Sequence, residues 1–348
     1  MASKQDIRSL SLPELQKSFV TKGQPAYRAR QVYDWMWKLG AKKFDDMSNV
    51  PAALREELAK HFTFHSIRPD VIQRSADGTI KTRFILHDGH KIETVLIPVP
   101  DDKRYTACVS SQVGCSLTCS FCATGQMGRL RNLTAAEIYD QAFETNKLCE
   151  DTFGASLTNI VYMGMGEPLL NYGPVMESIQ HITSPHGMAW SPKRITVSTA
   201  GISKAIRRLA DEGARFNLAL SLHAADDKKR SRIMPINDSN HLDTLMEALE
   251  YFYQKTKGRI SYEYIALQEF NDSLEDAGQL IKLCKRQFPV RVNVIEYNPV
   301  PGVAFDKSDP AQMDRFAKKI RDKGIMITVR RSRGKDIDAA CGQLANQA

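Results

Sequence analysis

From about residue 105 onward, short apolar runs alternate with longer stretches that carry apolar residues at helical spacing. This pattern predicts seven strands, at 106–110, 159–163, 195–198, 217–222, 261–267, 291–297 and 325–330. Between them it predicts six helices, at 134–150, 173–183, 203–212, 241–256, 273–286 and 310–323. Strands that alternate with helices are typical of parallel βαβ units. Six such units favour an α/β fold with a partial, TIM-like (β/α)6 barrel over an open sheet.

The first 75 residues have a different pattern, and we predict that they are helical. Helices are expected from Leu12 to Gly23, over 26–39, and from Pro51 to about residue 62. The polar face of the second helix is basic, with Arg28, Arg30 and Lys38. Residues 79–98 are then predicted to form a β-hairpin, because Asp-Gly stands between two runs of strand-forming residues.

These changes of pattern divide the chain into four predicted parts. They are an N-terminal helical domain at 1–75, a β-hairpin extension at 76–104, a barrel core at 105–332 and a C-terminal tail at 333–348. In a barrel of parallel strands, chemistry takes place at the C-terminal ends of the strands. The candidate motifs fall at such ends: 115–122, 164–168, 198–201, 221–223 and 298–299.

Three cysteines, Cys115, Cys119 and Cys122, lie within eight residues and have the spacing Cys-x3-Cys-x2-Cys. This spacing lets three thiolates of one loop converge on a single centre. A closed zinc site and a closed iron–sulfur cluster both need four protein ligands, so three cysteines leave one position open for another molecule. An iron–sulfur cluster with one accessible iron uses that vacancy. A zinc knuckle or three unrelated buried thiols are the alternatives.

Composition adds constraints on class and compartment. The chain has 348 residues, 42% hydrophobic and 25% charged, with a net charge of +8. The charge is compatible with a phosphate-rich partner, and equally with a mildly basic enzyme. No apolar run is long enough to span a membrane and the N-terminus lacks an apolar signal core, so we expect a cytoplasmic protein. In that reducing compartment, seven cysteines indicate metal or redox chemistry. Cys149 and Cys284 lie on apolar helix faces and are expected to be inert.

Several longer motifs together resemble the RlmN/Cfr family of radical S-adenosylmethionine (SAM) methyltransferases, which act on adenosine in RNA. They are Cys-Val-Ser-Ser-Gln-Val-Gly-Cys (108–115), Cys-Ser-Phe-Cys-Ala-Thr-Gly (119–125), Met-Gly-Met-Gly-Glu-Pro (163–168), Ser-Leu-His (221–223), Met-Pro-Ile-Asn (234–237) and Asp-Ile-Asp-Ala-Ala-Cys-Gly-Gln-Leu (336–344). The resemblance extends over nearly the whole chain and implies a radical-SAM barrel. Gly-Glu-Pro at 166–168 is the form of the RlmN branch.

The resemblance implies a reaction. Members of the RlmN branch methylate carbon 2 of an adenosine in the peptidyl-transferase centre of 23S ribosomal RNA. Many also methylate the adenosine 3′ of the anticodon in some transfer RNAs. Methylation of carbon 8 of the ribosomal adenosine, as in the Cfr branch, is the alternative.

The resemblance also implies roles for individual residues. Cys115, Cys119 and Cys122 would hold a 4Fe–4S cluster whose open iron binds SAM. The expected SAM contacts are Gly166, Glu167, Ser198, Ser221, Leu222, His223 and Asn298. Two SAM molecules are used per turnover, and Cys341 would accept the methyl group of the first as S-methylcysteine. Cys108 would then form a transient disulfide with Cys341 as the methylated base leaves. Glu93 is our candidate for the base that removes the ring proton.

The expected partners are 23S ribosomal RNA, transfer RNA and an electron donor such as flavodoxin with its reductase, and the expected state is a monomer. We expect RNA contacts from the basic helix at 26–39 and from six further cations, Arg129, Arg131, Arg330, Arg331, Arg333 and Lys335. Two other hypotheses stay open. One is a radical-SAM enzyme with a substrate other than nucleic acid, which gives no reason for Cys108 and Cys341. The other is a zinc-stabilised RNA-binding protein without catalysis.

Overall fold

The computed structural model of the chain describes residues 4–286 and 288–346. It begins with a small, mainly helical unit, and the three predicted helices are present. The elements of this unit are β1 (Gln5–Asp6), α1 (Leu12–Thr21), α2 (Ala26–Trp37), α3 (Ala52–His61) and β2 (Phe62–Thr63). Helix α1 begins with a capping box between Ser11 and Glu14. The unit packs on the rest of the chain through Trp37, whose ring stacks on His181 with centroids 3.6 Å apart.

The prediction that all of 1–75 is helical is wrong for its last part. Strand β3 (Arg68–Arg74) pairs antiparallel with β4 (Ile80–Ile85), which pairs with β5 (Lys91–Val99). Strand β3 is the edge of the sheet, and most of its side chains are exposed. An edge strand with no buried face carries no apolar alternation, so its sequence did not identify it. The hairpin of β4 and β5 is confirmed.

The rest of the chain forms the barrel. In order, its elements are β6 (Arg104–Cys108), β7 (Gln112–Val113), α4 (Ala123–Gln126), β8 (Arg131–Asn132), α5 (Ala135–Phe153), β9 (Asn159–Tyr162), α6 (Tyr172–Thr183), β10 (Ile195–Thr199), α7 (Ser203–Asp211), β11 (Asn217–Ser221), α8 (Asp227–Ile233), α9 (Leu242–Thr256), β12 (Ile260–Ala266), α10 (Leu274–Cys284), β13 (Val290–Glu296), α11 (Pro310–Arg321) and β14 (Met326–Arg330).

One ten-stranded sheet connects all these parts, in the order β14-β13-β12-β11-β10-β9-β6-β5-β4-β3. The strands from β6 to β14 in this sheet are parallel, and β5 joins them by antiparallel pairing with β6. The predicted partial (β/α)6 barrel is confirmed, with each predicted strand and helix present. Helices α4 and α8 were not predicted. The four-part division of the chain stays a prediction, since the sheet runs through its boundaries at 75 and 104.

The core lies between the barrel strands and their helices, and none of the described helices is both long and apolar enough to cross a membrane. One buried polar residue, Gln141 of α5, joins the hairpin to the barrel. Its Oε1 accepts hydrogen bonds from Thr94 Oγ1 and from the Ser110 backbone N–H, both at 2.8 Å. Its Nε2 donates to the Ser110 carbonyl at 3.0 Å. The chain segment that leads into the cysteine loop is thereby held in place.

We predict that Gln141→Leu lowers the free energy of unfolding by about 2–4 kcal/mol, because it leaves the buried groups of Thr94 and Ser110 without partners. Equilibrium urea unfolding measures the change. The matched control is Gln254→Leu, at an exposed position of α9. Equal unfolding midpoints for the two variants would contradict the prediction.

Candidate active site

The C-terminal ends of the barrel strands surround a cavity that gathers residues from distant parts of the chain. Its walls include the three loop cysteines and Cys341 of the tail. They also include five of the seven expected SAM contacts: Gly166, Glu167, Ser198, Ser221 and His223. The structure therefore brings the cluster motif, the glycine motif and the tail cysteine to one place.

The cysteine loop is held by backbone contacts on both sides. At its start, Gly114 has a φ of +74°, and an added Cβ would lie 1.8 Å from the carbonyl oxygen of Gly128, so glycine is required there. At its end, the Ala123 N–H donates to the carbonyl of Gly342 in the tail at 2.8 Å. Burial raises the pKa of Cys115 to about 11 and also raises that of Cys119. A bound cation would reverse this preference for neutral thiols.

The donor set fits a cluster better than a single metal ion. Among residues 4–286 and 288–346, no three Cys, His, Asp or Glu side chains form a group that could hold one metal ion. Tetrahedral zinc needs sulfurs about 3.8 Å apart, because each Zn–S bond is about 2.3 Å long. In a 4Fe–4S cluster each cysteine binds a different iron, so the thiolates are farther apart. All three thiols line one cavity, as a cluster bound by three cysteines of one loop requires.

Glu167 is tied into the backbone at the cavity wall. Its Oε2 accepts from the Ala200 N–H at 2.7 Å, and its Oε1 accepts from the Leu169 N–H at 3.1 Å. Burial raises the pKa of this carboxyl, although these hydrogen bonds oppose the rise. Gly166 beside it has a φ of +94°, and a Cβ there would lie 2.5 Å from Cβ of Gln112. A side chain at position 166 would therefore clash with Gln112, which explains the glycine there.

Three polar side chains of neighbouring strand ends line the next part of the wall. Ser198 Oγ and Ser221 Oγ lie 3.2 Å apart. His223 Nδ1 accepts a hydrogen bond from the Ile265 N–H at 3.1 Å, so the ring proton is on Nε2. Burial, together with the charge of Arg230, lowers the pKa of His223 to about 3. His223 is therefore a neutral hydrogen-bond donor at the cavity.

Two of the expected SAM contacts lie elsewhere. The side chain of Leu222 is fully buried in the apolar core, because it points to the opposite face from its neighbours in the motif. Asn298 is buried outside the cavity lining, and its Nδ2 donates to the carbonyl of Cys341 at 3.5 Å. Asn298 thus contacts the backbone of the tail.

A buried arginine that the sequence did not identify supports this wall from behind. Arg230 of α8 has no exposed surface and donates to the backbone carbonyls of Ala200, Ser221 and Leu222, at 2.5 to 3.2 Å. It also donates to Asn237 Oδ1 at 2.7 Å, which explains the asparagine of the Met-Pro-Ile-Asn motif. Burial lowers the pKa of Arg230 to about 10, still well above neutrality. Arg230 therefore remains a cation that joins the ends of β10 and β11.

Glu263 is a second residue that sequence reasoning missed. It lies mid-strand in β12, is 4% exposed and lines the cavity. Its Oε1 accepts from Ser261 Oγ and Asn293 Nδ2, whereas its Oε2 is buried without a hydrogen-bond partner among the described residues. The nearest cation to Oε2 is Arg330, at 3.6 Å, which is beyond hydrogen-bond distance, so this oxygen is still suited to a donor from a ligand. In the sequence, the signal for this site is a single glutamate between Tyr262 and Tyr264 in a mainly apolar strand.

The tail crosses the cavity and is fastened to the hairpin. Glu93 is buried in β5, and its Oε2 accepts from the backbone N–H groups of Ala345 and Asn346, at 3.0 and 3.1 Å. Lys81 pairs with its other oxygen at 3.5 Å. Glu93 therefore lies beneath the tail, outside the cavity lining.

The two predicted redox cysteines are both free thiols. Cys341 is exposed to the cavity; desolvation by the surrounding protein raises its pKa, which the charge of Arg330 opposes. Burial, and then the charge of Cys341, raise the pKa of Cys108. Both thiols are therefore protonated at neutral pH.

A buried carboxylate holds the root of the tail. Glu296, at the end of β13, pairs with Lys335 at 2.6 Å and also with Lys307, and it accepts from the Ser332 N–H at 3.1 Å. Burial alone would raise the pKa of Glu296, but the two lysines and Ser332 outweigh it and lower the pKa to about 2.

Several cations that we expected to bind RNA are engaged within the protein. Arg131 forms a bidentate pair with Glu137 at 2.8 Å and a further pair with Asp88. Arg330, Arg331 and Lys335 also have carboxylate partners, and Arg333 donates to the carbonyl of Pro98. In contrast, Arg30, Lys38 and Arg129 are exposed and have no carboxylate oxygen within 4.0 Å among the described residues.

Comparison with known proteins defines the class first. The model of the radical SAM superfamily matches residues 109–284, which include the cysteine loop and most of the barrel. A crystal structure of a radical SAM methyltransferase from Sphaerobacter thermophilus superposes with a TM-score of 0.92, at 41% identity, and covers 99% of this chain and 100% of its own. The cofactors of this class are a 4Fe–4S cluster and SAM.

The particular family follows from the rest of the chain. Residues 5–64 match the model of the ribosomal RNA large subunit methyltransferase N-terminal domain. A probable dual-specificity RNA methyltransferase RlmN of Christiangramia forsetii is 50% identical over 99% of this chain and 97% of its own length. The dual-specificity RNA methyltransferase RlmN of Nautilia profundicola is 40% identical, over 92% and 93%. The chain belongs to the RlmN family.

We predict that Arg230→Met lowers the free energy of unfolding by about 3–5 kcal/mol, because the buried carbonyls of Ala200, Ser221 and Leu222 each lose a hydrogen bond to a cation. The reconstituted variant should also bind SAM at least tenfold more weakly. Urea unfolding and equilibrium dialysis measure the two effects. The matched control is Arg232→Met, at an exposed position of the same helix. A variant at 230 that behaves like the control would show that Arg230 does not support the wall.

The pKa of Glu296 predicts a pH dependence. The folded protein has the lower pKa, so the stabilisation from Glu296 is complete above pH 4.5 and is lost as the pH falls towards about 2. Between these values, the melting temperature of Glu296→Gln should fall less steeply than that of the parent. At pH 7, residues 332–346 of Glu296→Gln should exchange their amide hydrogens faster than those of the parent protein. Glu247→Gln, which removes an exposed carboxylate, is the control. If the melting temperatures of Glu296→Gln and Glu247→Gln change with pH in the same way, the low pKa assigned to Glu296 is refuted.

Proposed function

We propose that this protein is a radical-SAM RNA methyltransferase that methylates carbon 2 of adenosine, in 23S ribosomal RNA and in transfer RNAs 3′ of the anticodon. The observation that carries this proposal is the position of Cys341. A cysteine of the tail lies in the same cavity as the three loop cysteines, and a second thiol, Cys108, ends the strand that leads into the cysteine loop. The names of the relatives, dual-specificity RNA methyltransferase RlmN, agree with it.

Carbon 2 of adenine is not nucleophilic, so it does not accept a methyl group by simple polar transfer from SAM. The cluster and SAM, when bound, supply the methyl group and the radical chemistry that this carbon requires. In our proposal, Cys115, Cys119 and Cys122 hold the cluster. Ser198, Ser221 and the Nε2–H of His223, together with the backbone around Gly166, orient SAM.

Cys341 carries the methyl group to the base. Its thiolate is the nucleophile, and the nearby charge of Arg330 favours that form against desolvation. When the carbon is joined to the ring, the Cys108 sulfur attacks the Cys341 sulfur. The bond between Cys341 and the new methyl carbon then breaks: its electron pair stays with the carbon, which takes up the proton lost by the Cys108 thiol, and a Cys108–Cys341 disulfide remains. A reductant must open this disulfide before the next turnover.

The proton at carbon 2 goes to Glu93 in this proposal. Two acceptor positions of that carboxylate are occupied by Ala345 and Asn346. Its other oxygen, Oε1, accepts no hydrogen bond from the described residues, but Glu93 lies beneath the tail and outside the cavity lining, so in this proposal the tail moves before the adenine base reaches Oε1. One motion of the tail would then free both the carrier cysteine and the base.

The proposal includes a setting for the reaction. We propose a monomer that works in the cytoplasm with 23S ribosomal RNA, transfer RNA and an electron donor such as flavodoxin with its reductase. The seven cysteines are all free, which agrees with a reducing compartment. Exposed Arg30, Lys38 and Arg129 are the cations that we assign to RNA.

We predict that the reconstituted protein, with SAM and reductant, forms 2-methyladenosine in both RNA classes. Cys341→Ala should form none, because the methyl carrier is missing. Cys108→Ala should leave RNA covalently bound to the protein, because the release step is missing. Mass spectrometry of the digested RNA and a denaturing gel measure the two outcomes.

The control is Cys284→Ala, which removes a buried thiol of α10 and should keep near-parental activity. Formation of 8-methyladenosine would replace our assignment by the carbon-8 reaction. Full activity of Cys341→Ala would favour a radical-SAM enzyme of another mechanism and substrate. A colourless protein that contains zinc would exclude the radical reaction altogether.

A further inference from the structure

We propose that the barrel carries a second RNA-binding surface, a basic basin at the end opposite the active site, which holds the phosphate backbone far from the target base. The inference rests on the proposed function only in that the substrate is RNA. It concerns residues that have no part in the proposed chemistry.

The basin lies at the N-terminal ends of the barrel strands. Its lining includes the first residues of four consecutive strands, Asn217, Ile260, Val290 and Met326. The basin has a volume of about 810 Å³. Strands of five to seven residues separate it from the active-site end, which is about 16–23 Å at 3.3 Å per residue. The two sites are therefore distinct.

The charged side chains that line the basin are all positive. Six cations line it: Lys193, Arg215, Lys255, Lys257, Arg259 and Arg291. No aspartate or glutamate is among its lining residues. Within the described part of the chain, none of the six has a carboxylate oxygen within 4.0 Å, whereas most of the mouth cations that we expected to bind RNA do. Six such charges repel one another and attract an anion of many charges.

The form of the site favours a polyanion over a small anion. Five of the six cations are exposed, only Arg291 is half-buried, and they come from several separate loops. A small phosphate compound would need buried, converging donors, which these exposed side chains do not provide. Flexible lysine stems suit a phosphate backbone whose base sequence varies, since phosphate contacts are independent of sequence. The two proposed RNA classes share their backbone and little else.

The separation of the two sites gives the inference a sharp test. A small stem–loop fills only the active-site end, whereas a full-length transfer RNA is large enough to extend to the basin. The basin should therefore contribute to binding of the long RNA and not of the short one. The probes are a full-length transfer RNA transcript and its isolated anticodon stem–loop, bound to the full-length protein over a series of salt concentrations.

The test variant combines Lys193→Gln, Lys255→Gln and Arg259→Gln. The control combines Lys282→Gln, Arg321→Gln and Lys323→Gln, which removes the same charge from exposed positions of α10 and α11 and the turn after it. We expect the test variant to bind the full-length transcript about tenfold more weakly and to have a salt slope smaller by about two to three. The control variant should bind both probes like the parent, and the test variant should bind the stem–loop normally.

Lys255→Gln alone should lower the salt slope by about one, which keeps the test available if the triple variant is unstable. Cleavage of SAM without RNA should be unchanged in every variant, since none of these residues lines the active site. Equal binding of the transcript by test and control variants would refute RNA binding at the basin and leave the proposal of an RNA substrate intact. A parent that binds neither RNA would overturn the RNA substrate and the basin together.

Discussion

The active site depends on one buried charge. Burial of a guanidinium is unfavourable by several kcal/mol unless its donors are satisfied. Arg230 satisfies this condition with three backbone carbonyls and Asn237 Oδ1. Those carbonyls lie at the ends of β10 and β11, where the chain leaves the sheet. One cation therefore joins two strand ends, and Ser198, Ser221 and His223 are carried by them.

The second constraint is that the site is completed by the far end of the chain. Cys341 reaches the cavity only because the tail is fastened at both ends, by Glu296 near its root and by Glu93 beyond the cysteine. Glu93 holds the tail with Oε2 and lies beneath it, so in the proposed reaction the adenine base reaches the free Oε1 only after the tail has moved. The contact that closes the site thus opposes the reaction proposed for it. Alternation between a closed and a released tail follows from this competition rather than from any need for general flexibility.

How far the sequence predicts this molecule depends on what kind of contact defines each part. Buried parallel strands are continuous apolar runs, so the barrel was predicted strand by strand, and Asp-Gly marked the hairpin. Strand β3 was missed because an exposed edge strand has no apolar pattern. Arg230 was missed because its partners are main-chain carbonyls, which no residue type identifies. Leu222 was placed at the site with its motif neighbours, although alternation along a strand end turns its side chain into the core. Motifs therefore located the site, and only the fold showed which motif members face it.

The net charge of the chain does not show where RNA binds. In our proposal, the surface is identified by cations that have no carboxylate partner. The cations near the tail looked suited to phosphate, yet Lys335 holds Glu296 and Arg131 holds Glu137, so their charges are already used to shape the mouth. An enzyme that must draw one base out of a folded RNA needs a mouth defined by shape and hydrogen bonds. Strong, non-directional attraction there would hold any phosphate near the site and slow the release of product. Attraction at the opposite end of the barrel does not have this cost, because it retains the RNA while the base enters and leaves. RNA binding at the basin and methylation at the active site are thus kept apart. This is the physical reason why cations without carboxylate partners lie where there is no catalytic residue.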